Sequence, residues 1–402
     1  IVVTGFGAEQ VAAMIGPEAE YVVQGEQLGT GHAVLAAQEA LTGFEGTVMV
    51  LCGDTPLLTS GLLTKLYSLH KEKGAQASVL TSVLADPAGY GRVITTPEGY
   101  VAKIVEQKDA APAELLVNEI NTGLYCFEKD ALLPALLQLK PNNAQGEYYL
   151  TDVIAILNNA GVKVQAVQAA DAAETMGVNS RVQLAAAEKV LRKRKLISLM
   201  EGGVTILDPD STFIDSDVVI GSDTVIYPFT MIEGAAKIGA RCKIGPHTRL
   251  ENALVGDDVV IHFSYGHDCR VERGATVGPY VHLRPDAHLS TGVKIGNFVE
   301  IKNSFVGTES KVPHLSYIGD SDLGAKVNIG SGTITVNYDG RKKHRTVVED
   351  EAFIGCNTNL VAPVTVGKGA YVAAGSTITK DVPPQSLGVA RSKQKNIEGW
   401  AK

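Results

Sequence analysis

The chain reads as a doubly wound α/β domain joined by a helical arm to a parallel β-helix, and three observations lead there. Over Val218 to Val382, aliphatic residues recur every sixth position. They run Ile220, Ile226, Ile232, Ile238, Ile244 and Leu250, then Val271, Val277, Leu283, Leu289, Ile295 and Ile301, then Val348, Ile354, Leu360, Val366, Val372 and Ile378. Before about residue 180, short apolar runs alternate with segments of helical character. Between the two lies a charged stretch that ends at Gly202-Gly203. A six-residue period fits neither a helix, at about 3.6, nor an alternating strand, at about 2. It fits a short strand and a tight turn, repeated, with one large and one small side chain per unit facing inward. Thr224, Thr230, Ala236, Cys242 and Thr248 supply the small partner four residues after the first five aliphatics. Gly221, Gly239, Gly245, Gly278, Gly296, Gly355 and Gly367 follow aliphatic residues, where a corner favours a residue without a Cβ. Stacked units of this kind fill a core one rung at a time.

Composition narrows the function classes. With 402 residues there is room for two or three domains. Hydrophobic residues are 45% and charged residues 20%, an ordinary globular balance. The net charge of −8 excludes a general nucleic-acid binder, which needs a basic face. No apolar run approaches the ~20 residues of a membrane span. Five scattered cysteines without a C-x-x-C pair suit free thiols and a cytoplasmic setting. The chain opens on Ile1-Val2-Val3-Thr4-Gly5, inside a strand-like run and without methionine, so residues upstream of Ile1 are expected to be missing.

Taken in order, Val2 to Thr4 reads as a strand, and Gly5-Phe6-Gly7 as a turn into a helix carrying Val11, Ala12 and Ile15. The lone Gly-x-Gly is equally a nucleotide contact or a plain strand-to-helix turn. Tyr21-Val22-Val23 leads into the loop Gln24 to Gly31, and a helix follows from about His32 to Leu41. Thr47 to Cys52 is an unbroken apolar run, as in a strand buried on both faces of a parallel sheet. Further elements follow: a helix over Ser60 to Glu72, strands near Ser78 to Leu84, Val101 to Val105 and Ile120 to Phe127, and helices near Lys129 to Leu139 and Thr151 to Asn159. In such domains ligands gather at the carboxyl ends of strands. Asp54 stands there, placed either to hold Mg²⁺ against nucleotide phosphates or to cap the next helix. Asn179 to about Gly202 reads as one helix whose Arg192-Lys193-Arg194-Lys195 run is a solvated face.

The β-helix breaks phase in informative places. Leu250 to Val271 is 21 residues, read as three more than a full coil. Steps of five replace six at Ile301 to Val306 and at Ile318 to Leu323. Thr335 to Val348 is 13 residues, and Val336 to Arg345 reads as a basic loop expelled from the prism, either plain surface or a phosphate contact. At about 18 residues per coil and ~4.8 Å per strand the prism has about nine coils and a length of about 40 Å.

The segments Gln24 to Ala33, Leu51 to Leu57, Gly89-Tyr90-Gly91-Arg92, Ile104 to Asp109, Glu119 to Gly123, Asn142 to Asp152 and Gly177-Val178-Asn179 occur in an order that resembles the bacterial GlmU family. These are bifunctional enzymes that make UDP-N-acetylglucosamine from glucosamine-1-phosphate. The resemblance covers nearly the whole chain and implies a Rossmann-like nucleotidyltransferase domain over residues 1–180, a helical linker over 181–203, and a left-handed β-helix acetyltransferase domain over 204–402. It implies UTP and acetyl-CoA as co-substrates and a cytoplasmic homotrimer with acetyltransferase sites between subunits. In the first domain it implies that Gln24, Gly29 and Thr30 read the uracil, that Cys52, Gly53, Gly91, Glu106 and Asn121 complete the UTP and sugar pocket, and that Asp54 and Asn179 hold Mg²⁺. The family's Gly-rich, cationic phosphate loop would precede Ile1. A chain lacking it is expected to bind UTP weakly and to catalyse uridylyl transfer poorly, if at all.

In the second domain the resemblance implies that His314 is the general base, with Glu300 orienting or polarising it. Arg284, Lys302, Tyr317 and Asn328 would bind the sugar phosphate. Ser331, Asn337, Tyr338, Cys356, Ala374 and Arg391 would meet acetyl-CoA, although the family more often has Ala and Ser at the positions of Ser331 and Cys356. Imidazole suits a base because it titrates near neutrality. Three alternatives compete. One is a nucleotidyltransferase whose β-helix only regulates or trimerises. Another is a non-enzymatic scaffold. A third is a zinc site of the β-helix carbonic anhydrase kind on His262 and His267, with His247, His282 or His288 as third ligand. His314, Lys302 and Tyr317 in one segment favour the acetyltransferase. The tail after Val382, with Arg391 and Trp400, is expected to wrap onto a neighbour.

Overall fold

The computed structural model describes residues 1–400. The chain separates into two compact units, Ile1–Val190 and Leu191–Lys402. In the first unit the strands Thr47–Val50, Ala77–Val83, Arg92–Thr95, Val101–Val105, Glu119–Glu128 and Val164–Gln168 form one mixed sheet. Glu119–Glu128 runs antiparallel to Thr47–Val50 and to Ala77–Val83, while Ala77–Val83 runs parallel to Val164–Gln168. Val2–Thr4 and Tyr21–Val23 pair in parallel as a separate two-stranded sheet. The expectation of a parallel strand buried on both faces at Thr47 is therefore corrected: all four residues are half-buried and their partner is antiparallel. An apolar run reports burial, whereas direction depends on how the chain returns, and composition does not encode that.

The core of this unit gathers on both sides of Ala77–Val83 and Glu119–Glu128. The rings of Tyr125 and Phe127 stack at 5.5 Å, with Leu132, Leu136 and Ile154 fully enclosed nearby. Helix Ser60–Glu72 starts where Thr59 accepts the Leu62 N–H, and it buries Leu62, Leu66 and His70. Helix Thr30–Ala36 begins earlier and ends sooner than its apolar pattern suggests.

The helix Arg181–Glu201 leads into the second unit. Its charge run is not merely solvated. The Arg192 guanidinium lies 4.1 Å over the Phe213 ring, and the Lys195 ammonium donates to the carbonyls of Ser216 and Val218 at 2.6 and 2.7 Å. These contacts dock the arm on the first coils.

From Thr205 onward the chain winds a three-sided prism of parallel sheets with nine, ten and eleven strands. One aliphatic residue per side enters the core, among them Ile226, Ile232, Ile244, Leu250, Val277, Leu289, Ile301, Ile318 and Leu360, all essentially without exposure. The small partners Thr224, Thr230, Ala236, Cys242 and Thr248 are buried beside them. Thr224 Oγ1 accepts the Cys242 N–H at 3.0 Å and donates to the Gly239 carbonyl at 2.8 Å, satisfying main-chain groups inside the corner. Between Leu250 and Val271 the chain has no insertion. Leu250 is followed at core positions by Val255, Ile261, Gly266 and Val271, so three of these four sides are short by one residue.

Among the corner glycines, Gly245 and Gly278 are left-handed, with φ of 98° and 117°, whereas the others are glycine for a second reason. Gly221 and Gly239 lie outside the left-handed region. A Cβ on either would stand 2.7 Å from the Ala240 nitrogen or 2.5 Å from the Gly256 carbonyl carbon of the next coil. Close coil stacking excludes the side chain. Left-handed conformations also fall on non-glycine residues such as Asp223, Asn252, Asp258 and an aromatic series. Phe229, His247, Phe263, Tyr280 and Phe298 occupy one corner with φ between 47° and 60°, and their rings stack at 4.8, 5.4, 5.9 and 5.4 Å. That spacing follows the ~4.8 Å strand repeat.

Candidate functional site

In the first unit a cleft of about 450 Å³ brings together Cys52, Asp54, Gly91, Glu106, Asn121 and Asn179. Asn121 N–H donates to the Gly91 carbonyl at 2.9 Å, and its Nδ2 donates to Tyr125 at 2.8 Å. Glu106 lies against Gly91, where a Cβ would stand 3.3 Å from the carboxylate. Burial pushes the Glu106 carboxyl above its ordinary range, more than the Thr151 hydroxyl bond lowers it. A carboxylate held ready by desolvation suits a hydroxyl-bearing ligand. Asp54 and Asn179 meet around Gly177, and the Asp54 carbonyl accepts the Val178 N–H at 2.8 Å. The Cys52 thiol, pushed up by burial and by Asp54, lies 3.4 Å from the Gly123 carbonyl. Gly53, between Cys52 and Asp54, does not line the cleft.

The loop Gln24 to Gly31 also stands outside that lining. It is held by its own bonds, with Gln24 Nε2 donating to the Gly29 carbonyl at 3.2 Å. Thr30 Oγ1 accepts the Leu150 N–H at 3.0 Å. Gly29 packs so closely on Tyr148 that a Cβ would meet its main chain at 2.7 Å, and its φ of 115° also requires glycine.

In the second unit the predicted residues fall on two corners of the prism. On the first, Arg284, Lys302, Lys343 and Arg345 line a cleft of about 540 Å³ with Asn303 and Asp320. The Lys302 ammonium facing Lys343 holds that lysine below its usual range. Two cations turned toward each other make a site for an anion. Asp320 is buried. Burial raises its carboxyl, but the amides of Asn303 and Asn337 and the charges of Lys302 and Lys343 outweigh that and hold it below the ordinary aspartate range. Asp320 bonds Asn337 at the base of the expelled loop, which closes as a small hairpin with the His344 N–H on the Asn337 carbonyl at 2.8 Å. Tyr317 joins this group through its hydroxyl, 3.4 Å from Asn337 Nδ2. Tyr338 is exposed on the same loop.

On the other corner stands His314, whose Nδ1 is 2.7 Å from Asn297 Oδ1. Main-chain bonds carry the coils on above it: Asn357 N–H donates to the Ser331 carbonyl, and Gly375 N–H to the Cys356 carbonyl. Ser331, Cys356 and Ala374 thus occupy equivalent corner positions on successive coils. Asn328 starts the strand just before Ser331. Arg391 is exposed beyond the last strand, Leu387–Gly388. Glu300 does not meet His314 within the chain; it pairs with Arg284 at 2.8 Å, and the two residues belong to different faces of the prism. Asp320, Asn303 and Asn297 escaped sequence reasoning. Asn297 has a signal in retrospect, since it precedes His314 by 17 residues, one coil with a single short side.

Of the histidines considered for zinc, His262 meets Phe263 edge-on, and the buried Nε2 of His282 has no hydrogen-bond partner among the described residues. His247 stacks between Phe229 and Phe263, His267 lies against Tyr265 and His282, and His288 pairs with Glu272 at 2.8 Å. Among the described residues of one chain, no three His, Cys, Asp or Glu side chains converge as a metal site. Among the described residues no helix is long and apolar enough to cross a membrane.

Comparison with known proteins bears on the two domains and the family. Residues 7–174 match the nucleotidyl transferase family, and residues 217–252 and 345–380 match the bacterial transferase hexapeptide family of six repeats. Relatives named bifunctional protein GlmU align along the chain. That of Exiguobacterium sp. (strain ATCC BAA-1283 / AT1b) is 54% identical over 402 residues, covering 100% of this chain and 89% of that protein. That of Halalkalibacterium halodurans is 51% identical, with 100% and 88% covered, and that of Geobacillus sp. (strain WCH70) 52%, with 100% and 87%.

Proposed function

The chain belongs to the bifunctional GlmU family, and on that premise we propose which of its residues perform each of the two activities. The family's chemistry is the synthesis of UDP-N-acetylglucosamine by acetyl transfer and uridylyl transfer, on a nucleotidyltransferase domain followed by a left-handed β-helix. Its substrates are small molecules, and its hexapeptide repeats are of an oligomerising kind.

For acetyl transfer, the amine nitrogen of glucosamine-1-phosphate attacks the thioester carbonyl carbon of acetyl-CoA. His314 Nε2 takes the amine proton, the C–S bond breaks, and the thiolate leaves as CoA after receiving that proton. Arg284, Lys302 and Tyr317, with Lys343 from the expelled loop, hold the sugar phosphate, and Asn328 approaches it from the histidine side. Ser331, Cys356 and Ala374 form a line of equivalent corners along which the extended acetyl-CoA lies, with Asn337, Tyr338 and Arg391 at its flanks. For uridylyl transfer, Gln24, Gly29 and Thr30 read the base through their fixed loop, while Glu106, Asn121 and Gly91 hold the sugar. Asp54 and Asn179 present one carboxylate and one amide oxygen, a donor set that fits Mg²⁺ shared with phosphates. That ion would neutralise charge on the triphosphate.

The observation that carries the subunit arrangement is the separation of the two corners. His314 closes one side of the prism, whereas Lys302 and its register partner Gly319 close the next. One five-residue side at ~3.3 Å per residue spans on the order of 15 Å. That exceeds the distance between amine and phosphate on one sugar ring unless both side chains turn toward each other along the side. We therefore read the acetyltransferase site as built between copies in a homotrimer, its contact face including the aromatic corner series. Residues 1–180 would serve uridylyl transfer and 204–402 acetyl transfer, in a cytoplasmic enzyme that acetylates first. His314→Ala is expected to abolish thiol release from acetyl-CoA with glucosamine-1-phosphate, while assembly state and UTP binding stay unchanged. Undiminished thiol release would remove His314 as the base.

A further inference from the structure

His314 closes the strand Lys311–His314, and Asn297 closes the strand one coil below it. The register pairs these two residues directly, and the Leu315 N–H donates to the Asn297 carbonyl at 3.0 Å. Main chain and side chain thus enforce the same step. The side-chain contact is 2.7 Å, from His314 Nδ1 to Asn297 Oδ1. An amide oxygen can only accept, so the ring proton sits on Nδ1 and the Nε2 lone pair is free. Glu300, the acid expected to orient His314, is occupied by Arg284 at 2.8 Å on another face of the prism.

We propose that Asn297 is the positioning residue of acetyl transfer, holding His314 in the tautomer and orientation in which Nε2 takes the amine proton. This rests on the reading of His314 as the base. A neutral amide in this place fixes the tautomer without adding a second charge, so the imidazolium formed in the step passes its proton readily to the departing thiolate. The other ionisable groups on the strands flanking His314 are Lys294 and Lys311. The strand Asn328–Ile329 above brings none, and Tyr317, Glu300 and Cys356 lie on neighbouring rungs. All of these are unchanged in Asn297 variants.

The test is thiol release from acetyl-CoA across pH for the wild type, N297A, N297D, E300Q and H314A, with pyrophosphate release from UTP and thermal melting as controls on folding. N297A is expected to lower kcat about 10- to 100-fold with KM for both substrates within about twofold. N297D is expected to recover part of the rate. It should also move the acid limb of kcat/KM upward by about 1–2 pH units, because a carboxylate against the ring favours imidazolium. Full kcat in N297A, or an acid limb unmoved in N297D while H314A is inactive, overturns the role of Asn297 alone. A limb moved by E300Q but not by N297D assigns the role to Glu300 instead. Activity retained in H314A removes the base itself, and the proposal with it.

Discussion

Burial sets how individual side chains of the first unit respond to acid. His70 is fully enclosed, with Nδ1 2.9 Å from Ser78 Oγ and Nε2 3.2 Å from Glu128, and burial lowers its affinity for a proton despite that carboxylate. The unfolded imidazole protonates near about 6.5. The folded state therefore loses stability as pH falls through that value, since the unfolded chain binds the extra proton. Glu128 is held down to about 2, first by the Lys71 ammonium and then by Thr47 and His70. Its contribution is complete above about 4.3 and is lost as pH falls toward the folded value. Urea midpoints measured from pH 7 to 3 should decline in these two stages, and His70→Gln should flatten the upper one while shrinking the lower one less, since Lys71 remains the main partner of Glu128; an unchanged upper slope would refute the histidine's part. Asp54 makes a second residue-scale case. Asp54→Asn is expected to reduce pyrophosphate release by roughly 10²-fold or more and to raise the Mg²⁺ requirement. A loss of rate without any change in Mg²⁺ dependence would point to a structural role. Legibility differed among these residues for a physical reason. Asp54 follows a recognisable strand end, whereas Asn297 and Asp320 gain meaning only when one coil is laid on the next.

At the scale of elements, a prism that is built one rung at a time exposes its whole plan to a reader of the sequence. Ile226, Ile244 and Ile261 each fill the same side of successive coils, so periodicity alone locates strands, core and corners. The first unit offers no such repeat. The partner of Thr47–Val50 is Glu119–Glu128, some seventy residues away, and nothing local to either strand states the direction of pairing. The strands Arg92–Thr95 and Val164–Gln168 went unread for the same reason. The glycine finding yields a test at this scale. Gly239→Ala places a methyl 2.5 Å from the Gly256 carbonyl carbon, so the coils must separate locally. A loss of about 1–3 kcal/mol is expected in thermal or denaturant unfolding of the second unit. Unaltered stability would mean that the coils have slack at that corner.

For the whole molecule, the two-corner arrangement makes a prediction about mixtures. H314A and K302A chains, each inactive in acetyl transfer alone, should regain activity when co-refolded or co-expressed. If every site takes its histidine and its lysine from different copies, random assembly restores about a quarter of the wild-type sites. No recovery would mean that both residues act from one chain. Phe298→Asp, on the exposed aromatic corner, is expected to shift sedimentation toward the monomer and to lower thiol release while sparing pyrophosphate release. The uniform stacking of the coils has a wider consequence. Because successive corners are equivalent and separated by about 4.8 Å, the prism works as a graduated scale. Removing one complete turn between two functional rungs would shift them by one division and leave every remaining side chain in phase. Reach along the corner is thus a countable quantity, adjustable in whole steps, while the chemistry at each mark stays as it was.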